Sequence, residues 1–130
     1  MMQKLFIALV TVMLISVTNS CRKSPEGPSD IRIRNLSTKV FDDVFVDTSA
    51  GEYNYGQIQP GKVTDYHRFD KAYRQAHITL TANGVAYEMV PVDYTYEITL
   101  GQGKFTYELN LADTVNHTLS IHVIAEAPLD

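Results

Sequence analysis

Residues 104–111 alternate without a break. Phe105, Tyr107, Leu109 and Leu111 are apolar, and Lys104, Thr106, Glu108 and Asn110 are polar. Only an extended chain sends successive side chains to opposite faces, so this run predicts a half-buried β-strand. The pattern recurs in Leu119, Ile121, Val123 and Ala125 against Thr118, Ser120 and His122, and in Ile78, Leu80 and Ala82 against His77, Thr79 and Thr81. Asn83-Gly84 follows the Ile78 run and precedes another strand over 85–89. Asn-Gly accepts the positive φ angles of a type I′ turn, which makes this pair of runs a hairpin. Gly101-Gln102-Gly103 is expected to join a strand at 94–100 to the one at 104–111 in the same way.

Further strands are expected at 31–36, 40–46 and 63–69. The run at 40–46 has apolar residues of both parities, so its inward face is ambiguous. The alternation changes phase between Met89 and Val90, just before Pro91, which implies an edge or a bulge. No useful helical period follows residue 21; residues 69–73 could form one short turn. Eight Tyr and five Phe with no Trp suit a β-rich core. About eight strands at short spacing predict an all-β fold, a single antiparallel β-sandwich spanning 30–130.

The first twenty residues differ in kind. Lys4 and the α-amino group are positive, and residues 5–17 form an apolar run of 13 broken only by Thr11 and Ser16. Thr18, Asn19 and Ser20 follow, then Cys21. This is the order of a cleaved secretory signal over 1–20. Thirteen helical residues reach roughly 20 Å, short of a hydrocarbon core of about 30 Å, which disfavours a membrane span. Residues 21–29 contain two Pro and one Gly among Ser and charged residues and read as a flexible tether. Such a tether spans about 30 Å at most, or roughly 17 Å as a coil, so the domain should ride close to whatever holds Cys21. Arg22 and Lys23 could touch anionic headgroups, although a solvated spacer is the simpler reading.

Cys21 is the only cysteine and can make no disulfide within the chain. Directly after an apolar run and Ser20, it resembles the lipobox of bacterial lipoproteins, with Thr18 and Asn19 standing where Leu and a small residue are usual. This loose form is similar to the lipoboxes of Bacteroidota. The resemblance implies cleavage between Ser20 and Cys21, diacylglyceryl transfer to the Cys21 thiol and acylation of the new amine. Two or more acyl chains hold a protein on a membrane stably. Arg22, rather than Asp, implies the outer membrane, and the lack of an acidic run after Cys21 favours its periplasmic face. Ile58-Gln59-Pro60-Gly61, followed by Tyr66, resembles the Pro-Gly corner of fibronectin- and immunoglobulin-like sandwiches. The mature chain as a whole resembles small lipoproteins of Bacteroidota, which carry no transferable catalytic motif.

The chemistry of function is sparse. The chain has 11 Lys and Arg against 15 Asp and Glu, net −4, which gives no electrostatic reason to bind nucleic acid. His67, His77, His117 and His122 form no His-x-His pair, so no metal or other cofactor is expected. Asp42, Asp43, Asp47 and Glu52 lack the spacing of a calcium loop and read as a solvated acidic stretch. No Gly-x-Ser-x-Gly elbow is present. Carboxylate pairs can assemble in space from distant positions, but a domain with short connections has few loops from which to build a cleft. A non-enzymatic protein is expected.

Two sites stand out. Asp113-Thr114-Val115 resembles the Asp-Ser/Thr-aliphatic acceptor of Bacteroidota O-glycosylation, which implies a candidate sugar on Thr114. The plainer alternative is a loop in which Asp113 closes a turn. Residues 66–74 are the densest mixture of aromatic and cationic side chains, with Tyr66, His67, Arg68, Tyr73 and Arg74 as candidate partner contacts. The alternative is structural: Phe69 and Tyr73 pin the connection, and Arg68 and Arg74 pair with Asp65 and Asp70. The functional expectation is a lipid-anchored envelope module that binds a protein or glycan partner. Its rivals are an accessory subunit of a larger envelope complex and a small carbohydrate-processing enzyme.

Overall fold

The computed structural model describes residues 26–94 and 97–130. The expected signal, Ser20, Cys21 and residues 22–25 lie outside the described residues. The remainder is all-β, with eight strands: β1 (Ser29–Asn35), β2 (Phe41–Asp47), β3 (Glu52–Asn54), β4 (His67–Phe69), β5 (His77–Ala82), β6 (Val85–Met89), β7 (Gly103–Asp113) and β8 (Thr118–Ala127). All join one sheet in the order β3-β2-β5-β6-β8-β7-β1-β4.

The sheet is mixed, which corrects the expectation of a purely antiparallel one. β1 pairs parallel with β7 along its whole length, and β6 pairs parallel with β8 at one position, Glu88 opposite Thr118. The other neighbours are antiparallel. Alternation reports which face is buried and is silent on strand direction. Parallel neighbours need long connections, and both of these pairs have one.

The sheet curls until its two ends meet, giving a barrel-like form. The Tyr53 ring on β3 stacks on His67 of β4 with centroids 3.7 Å apart. Just beyond β3, Tyr55 Oη donates to the Ile31 carbonyl at 2.7 Å. One core fills the inside, built from alternate residues of both halves: Ile31 and Ile33, Ile78 and Leu80, Tyr107 and Leu109 are all buried. The expected inward faces of β5 and β7 are therefore correct. On β8 the alternation holds through Leu119, Ile121 and Val123. Ala125 is exposed next to a register shift opposite Lys104 and Phe105.

A bulge explains the ambiguous second strand. Asp43 has φ 49°, and the β2–β5 register shifts between Asp42 and Phe45. The extra residue changes the phase, so Phe41, Val44 and Val46 all point inward. The Asn83-Gly84 turn is also as expected, with φ of 53° and 77° and Ala82 opposite Val85.

Three strand assignments differ. The run at 63–69 forms a strand only at His67–Phe69, with Val63 making an isolated bridge to Arg34. Among the described residues of 94–100 there is no strand. Glu97 N–H turns back to the Tyr94 carbonyl, Leu100 N–H bonds Ala72, and Ile98 is exposed. Gly101–Gly103 is thus not a hairpin between two strands. In exchange, Glu52–Asn54 pairs with β2 although all three side chains are exposed.

The Pro-Gly corner is a tight turn. Lys62 N–H donates to the Gln59 carbonyl at 3.1 Å, and Gly61 has φ 74°, a conformation glycine tolerates. The fully buried Asn35 ties it down: its amide donates to the carbonyls of Lys39 at 2.7 Å and Ile58 at 3.0 Å, and Oδ1 accepts from Ser37 N–H at 2.9 Å. At the other end of β1, Gly27 is buried against the backbone of Asp70, where a Cβ would meet the carbonyl oxygen. Residues 27–29 of the expected tether are therefore packed against the domain.

Candidate functional site

The structure splits the 66–74 segment. Phe69 and Tyr73 are buried and pin it to the core; the carbonyl of Tyr73 accepts a hydrogen bond from Tyr107 Oη. Tyr73 also packs on Tyr94, with centroids 4.6 Å apart. Tyr66 lies on the outer surface, with the Arg32 guanidinium 4.9 Å and the Lys104 ammonium 5.3 Å from its ring centroid. Arg68 makes a two-pronged ion pair with Asp30, at 2.8 and 3.1 Å, rather than with Asp65 or Asp70. His67 is stacked on Tyr53, and Arg74 is exposed. The aromatic faces and the Arg68 charge are thus engaged by the chain itself.

The outer face of β4, β1, β7 and β8 is a ladder of paired charges. Its register sets Asp30 opposite Lys104, Arg32 opposite Thr106 and Arg34 opposite Glu108; the last two rows are side-chain contacts, while Asp30 pairs with Arg68 and Lys104 with Asp130. Arg34 meets Glu108 at 2.9 Å, and His122 Nδ1 lies 3.1 Å from the same carboxylate. The His122 hydrogen bond, followed by Arg34, lowers the Glu108 pKa. Thr106 Oγ1 donates to Glu126 at 2.8 Å while accepting from Arg32 Nε at 2.9 Å, and the Thr106 bond is the main cause of a lowered Glu126 pKa. Asp130 is lowered in the same way by Lys104.

The opposite half differs in charge. β2, β3, β5 and β6 contain Asp42, Asp43, Asp47, Glu52 and Glu88 and no Lys or Arg. Three clefts follow one another across this half and onto β8. The first, about 340 Å³, lies between β5, β6 and the β7–β8 hairpin tip; Asp43, Thr81, Glu88 and His117 line it. The second, about 450 Å³, runs along the seam where β6 leaves β8. It is walled by Met89, Val90, Leu119 and Ile121 and shares Glu88 with the first. The third, about 190 Å³, shares Val90 with the second and reaches Asp47 and His77. Glu88 also holds His77, at 2.8 Å.

The first cleft is bordered by two non-glycine residues with positive φ, Asp43 at 49° and His117 at 56°. The His117 carbonyl accepts from Glu88 N–H at 3.1 Å, so the hairpin tip is fixed beside β6. Sequence reasoning missed Asp43, Glu88, His117 and Ser120 as site residues, because distant segments bring them together. The phase break between Met89 and Val90 is their one local trace. Among the described residues, no three His, Cys, Asp or Glu side chains are grouped to hold a metal.

Thr114 is exposed in the hairpin after β7. Asp113 Oδ1 accepts from Val115 N–H at 2.8 Å and Asn116 N–H at 3.1 Å, so Asp113 does close the turn. These bonds, with that from the Asn116 side chain, lower the Asp113 pKa. No protein family, curated protein or solved structure matches the chain.

Proposed function

We propose that this chain is a lipid-anchored module of the bacterial envelope that binds a partner through the groove crossing β5, β6 and the start of β8. The carrying observation is the continuity of the three clefts through Glu88 and Val90. Concave surfaces with apolar walls and a few polar groups are the usual form of a binding site. The outer ladder is a weaker choice, because its cations are engaged with the chain's own carboxylates.

The anchor is Cys21, after cleavage behind Ser20, at the periplasmic face of the outer membrane. On this reading β3-β2-β5-β6 and β8-β7-β1-β4 are the two layers of an immunoglobulin/fibronectin-like sandwich. The apolar run and lone cysteine support the anchor, and the shared core supports the two layers. Thr114 is a candidate O-glycan acceptor, supported by its exposure; a native mass that exceeds that of the Thr114→Ala chain by more than the residue difference tests it.

The native chain is expected in the membrane fraction, and Cys21→Ala is expected to release it or block its maturation. A photo-crosslinker at Ser120 should capture a defined partner there, while one at Glu108 on the outer ladder should not. Equal capture at both positions, or a water-soluble native chain, contradicts the proposal.

A further inference from the structure

We propose that the occupant of this groove is an extended, lysine- or arginine-bearing strand of a partner protein, laid along the open edge of β8. The inference rests on the groove being the contact surface and adds the chemistry of what enters it.

The geometry begins at the seam. β6 and β8 share one register pair, Glu88 and Thr118, and then separate. From Ser120 to Ala127, β8 has a strand partner on one side only among the described residues, namely β7. An edge of this kind offers backbone N–H and C=O groups to an incoming strand. Proteins usually blunt such edges with lysine or proline, and residues 119–125 contain neither. Directly beside the edge lies the cleft walled by Met89, Val90, Leu119 and Ile121, which would take alternate apolar side chains of a docked strand. Val90, one wall of this cleft, is itself well exposed.

Charge selects the occupant. The groove is lined by Asp43, Asp47 and Glu88 and by no Lys or Arg. Glu88, which also bonds His77, lines the apolar seam itself, and Asp43 and Asp47 line the two clefts that adjoin it, so a strand in the seam meets one carboxylate and lies beside two more. A cationic strand gains from each, and an acidic strand is repelled. Sugar recognition usually employs an exposed aromatic face. Tyr87 of the first cleft is buried and Tyr94 of the third, half-buried, packs its ring on Tyr73, which disfavours a glycan there.

The test uses the full mature chain with Cys21→Ser, labelled with nitrogen-15, and the capped probe Lys-Val-Lys-Val-Lys-Val-Lys. Saturable amide shifts are expected at Glu88, Met89 and Thr118–Ile121. The pair Glu88→Gln with Asp43→Asn should weaken binding roughly tenfold, since each exposed charge contact contributes up to about 1 kcal/mol. A charge-matched control away from the groove, Glu52→Gln with Asp65→Asn, should leave it unchanged. Because Asp43 has a left-handed backbone, Glu88→Gln alone provides a second variant, and its thermal midpoint reports any loss of the His77 contact.

Equal weakening by the groove and control pairs overturns the proposal, as do shifts outside the groove. Preference for Glu-Val-Glu-Val-Glu-Val-Glu, or for maltoheptaose, at the same amides overturns the occupant while leaving the groove as the contact surface. Silence of the groove toward all three probes overturns the occupant, and the Ser120 crosslink then decides the fate of the broader reading.

Discussion

Asn35 offers a sharp test of how the fold is held. It is fully buried at the end of β1, where no apolar alternation demands it. Its amide reaches two main-chain carbonyls, and its Oδ1 serves both Ser37 N–H and Ser37 Oγ. The substitution Asn35→Ala removes all four contacts, but the loss is partly cushioned. The Ile58 carbonyl still accepts from Phe41 N–H at 3.0 Å, and the Ser37 hydroxyl, whose one hydrogen is released from Asn35 Oδ1, can turn to the Lys39 carbonyl 3.0 Å away. Ser37 is exposed enough for water to replace its acceptor. What remains is two weakened carbonyls, at about 0.5–1 kcal/mol each, and a small void, at about 1–2 kcal/mol, so a total of about 2–4 kcal/mol is expected. A domain of this size has about 5–15 kcal/mol to lose. Urea denaturation followed by circular dichroism should show the midpoint falling by about 1–2 M. Asn35→Asp adds a pH signature. Its carboxylate must face carbonyl oxygens, so the folded pKa rises above the unfolded value. The variant is then most stable with the acid protonated and loses stability as pH rises through the folded pKa. A loss under about 0.5 kcal/mol in Asn35→Ala, or a pH-independent Asn35→Asp, would refute the account of Asn35 as the tie between β1 and the Pro-Gly corner.

Leu109→Ala should cost about 2–5 kcal/mol by calorimetry, because the side chain is fully buried on the inner face of β7. Glu108 has a lowered pKa from His122 and Arg34, so it stabilises the fold above the unfolded carboxylate range and this contribution is lost as pH falls through the folded value. Glu108→Gln should flatten the acid limb of a pH–stability curve; an unchanged slope counts against the pairing. Arg68→Ala should lower the thermal midpoint by stranding the buried Asp30 carboxylate, whereas Arg74→Ala, at an exposed position, should leave it unchanged.

Local pattern revealed the strands whose one face is dry. Phe105, Tyr107 and Leu109, like Ile78 and Leu80, announce themselves because burial on one side and solvent on the other imprint a period of two. The β5–β6 turn was legible for an equally local reason, the φ preferences of Asn83 and Gly84. Strand β3 was not, since all three of its side chains face solvent and it is held by backbone bonds to β2. Residues 94–100 erred in the opposite direction: the sequence alternates, yet no neighbouring strand edge receives the described part of it. The bulge at Asp43 hid the phase of β2. The groove was illegible because Asp43, Glu88 and Ser120 come from three separate strands, and only the register of the sheet brings them into one track.

The parallel pairing of β1 with β7 also sets an order of events during synthesis. Arg32 finds its sheet neighbour Thr106 only 74 positions later in the chain. A ribosome adding about 5–20 residues per second has released β1 several seconds before β7 exists. The β5–β6 hairpin can close soon after it emerges, because its halves are adjacent. β4 can meet Ser29–Ile31 on one edge of the first strand made, but its other edge is among the last to be zipped, over the whole of 29–35. Nascent-chain proteolysis should therefore find residues 29–35 cleavable until nearly the whole sequence has left the tunnel.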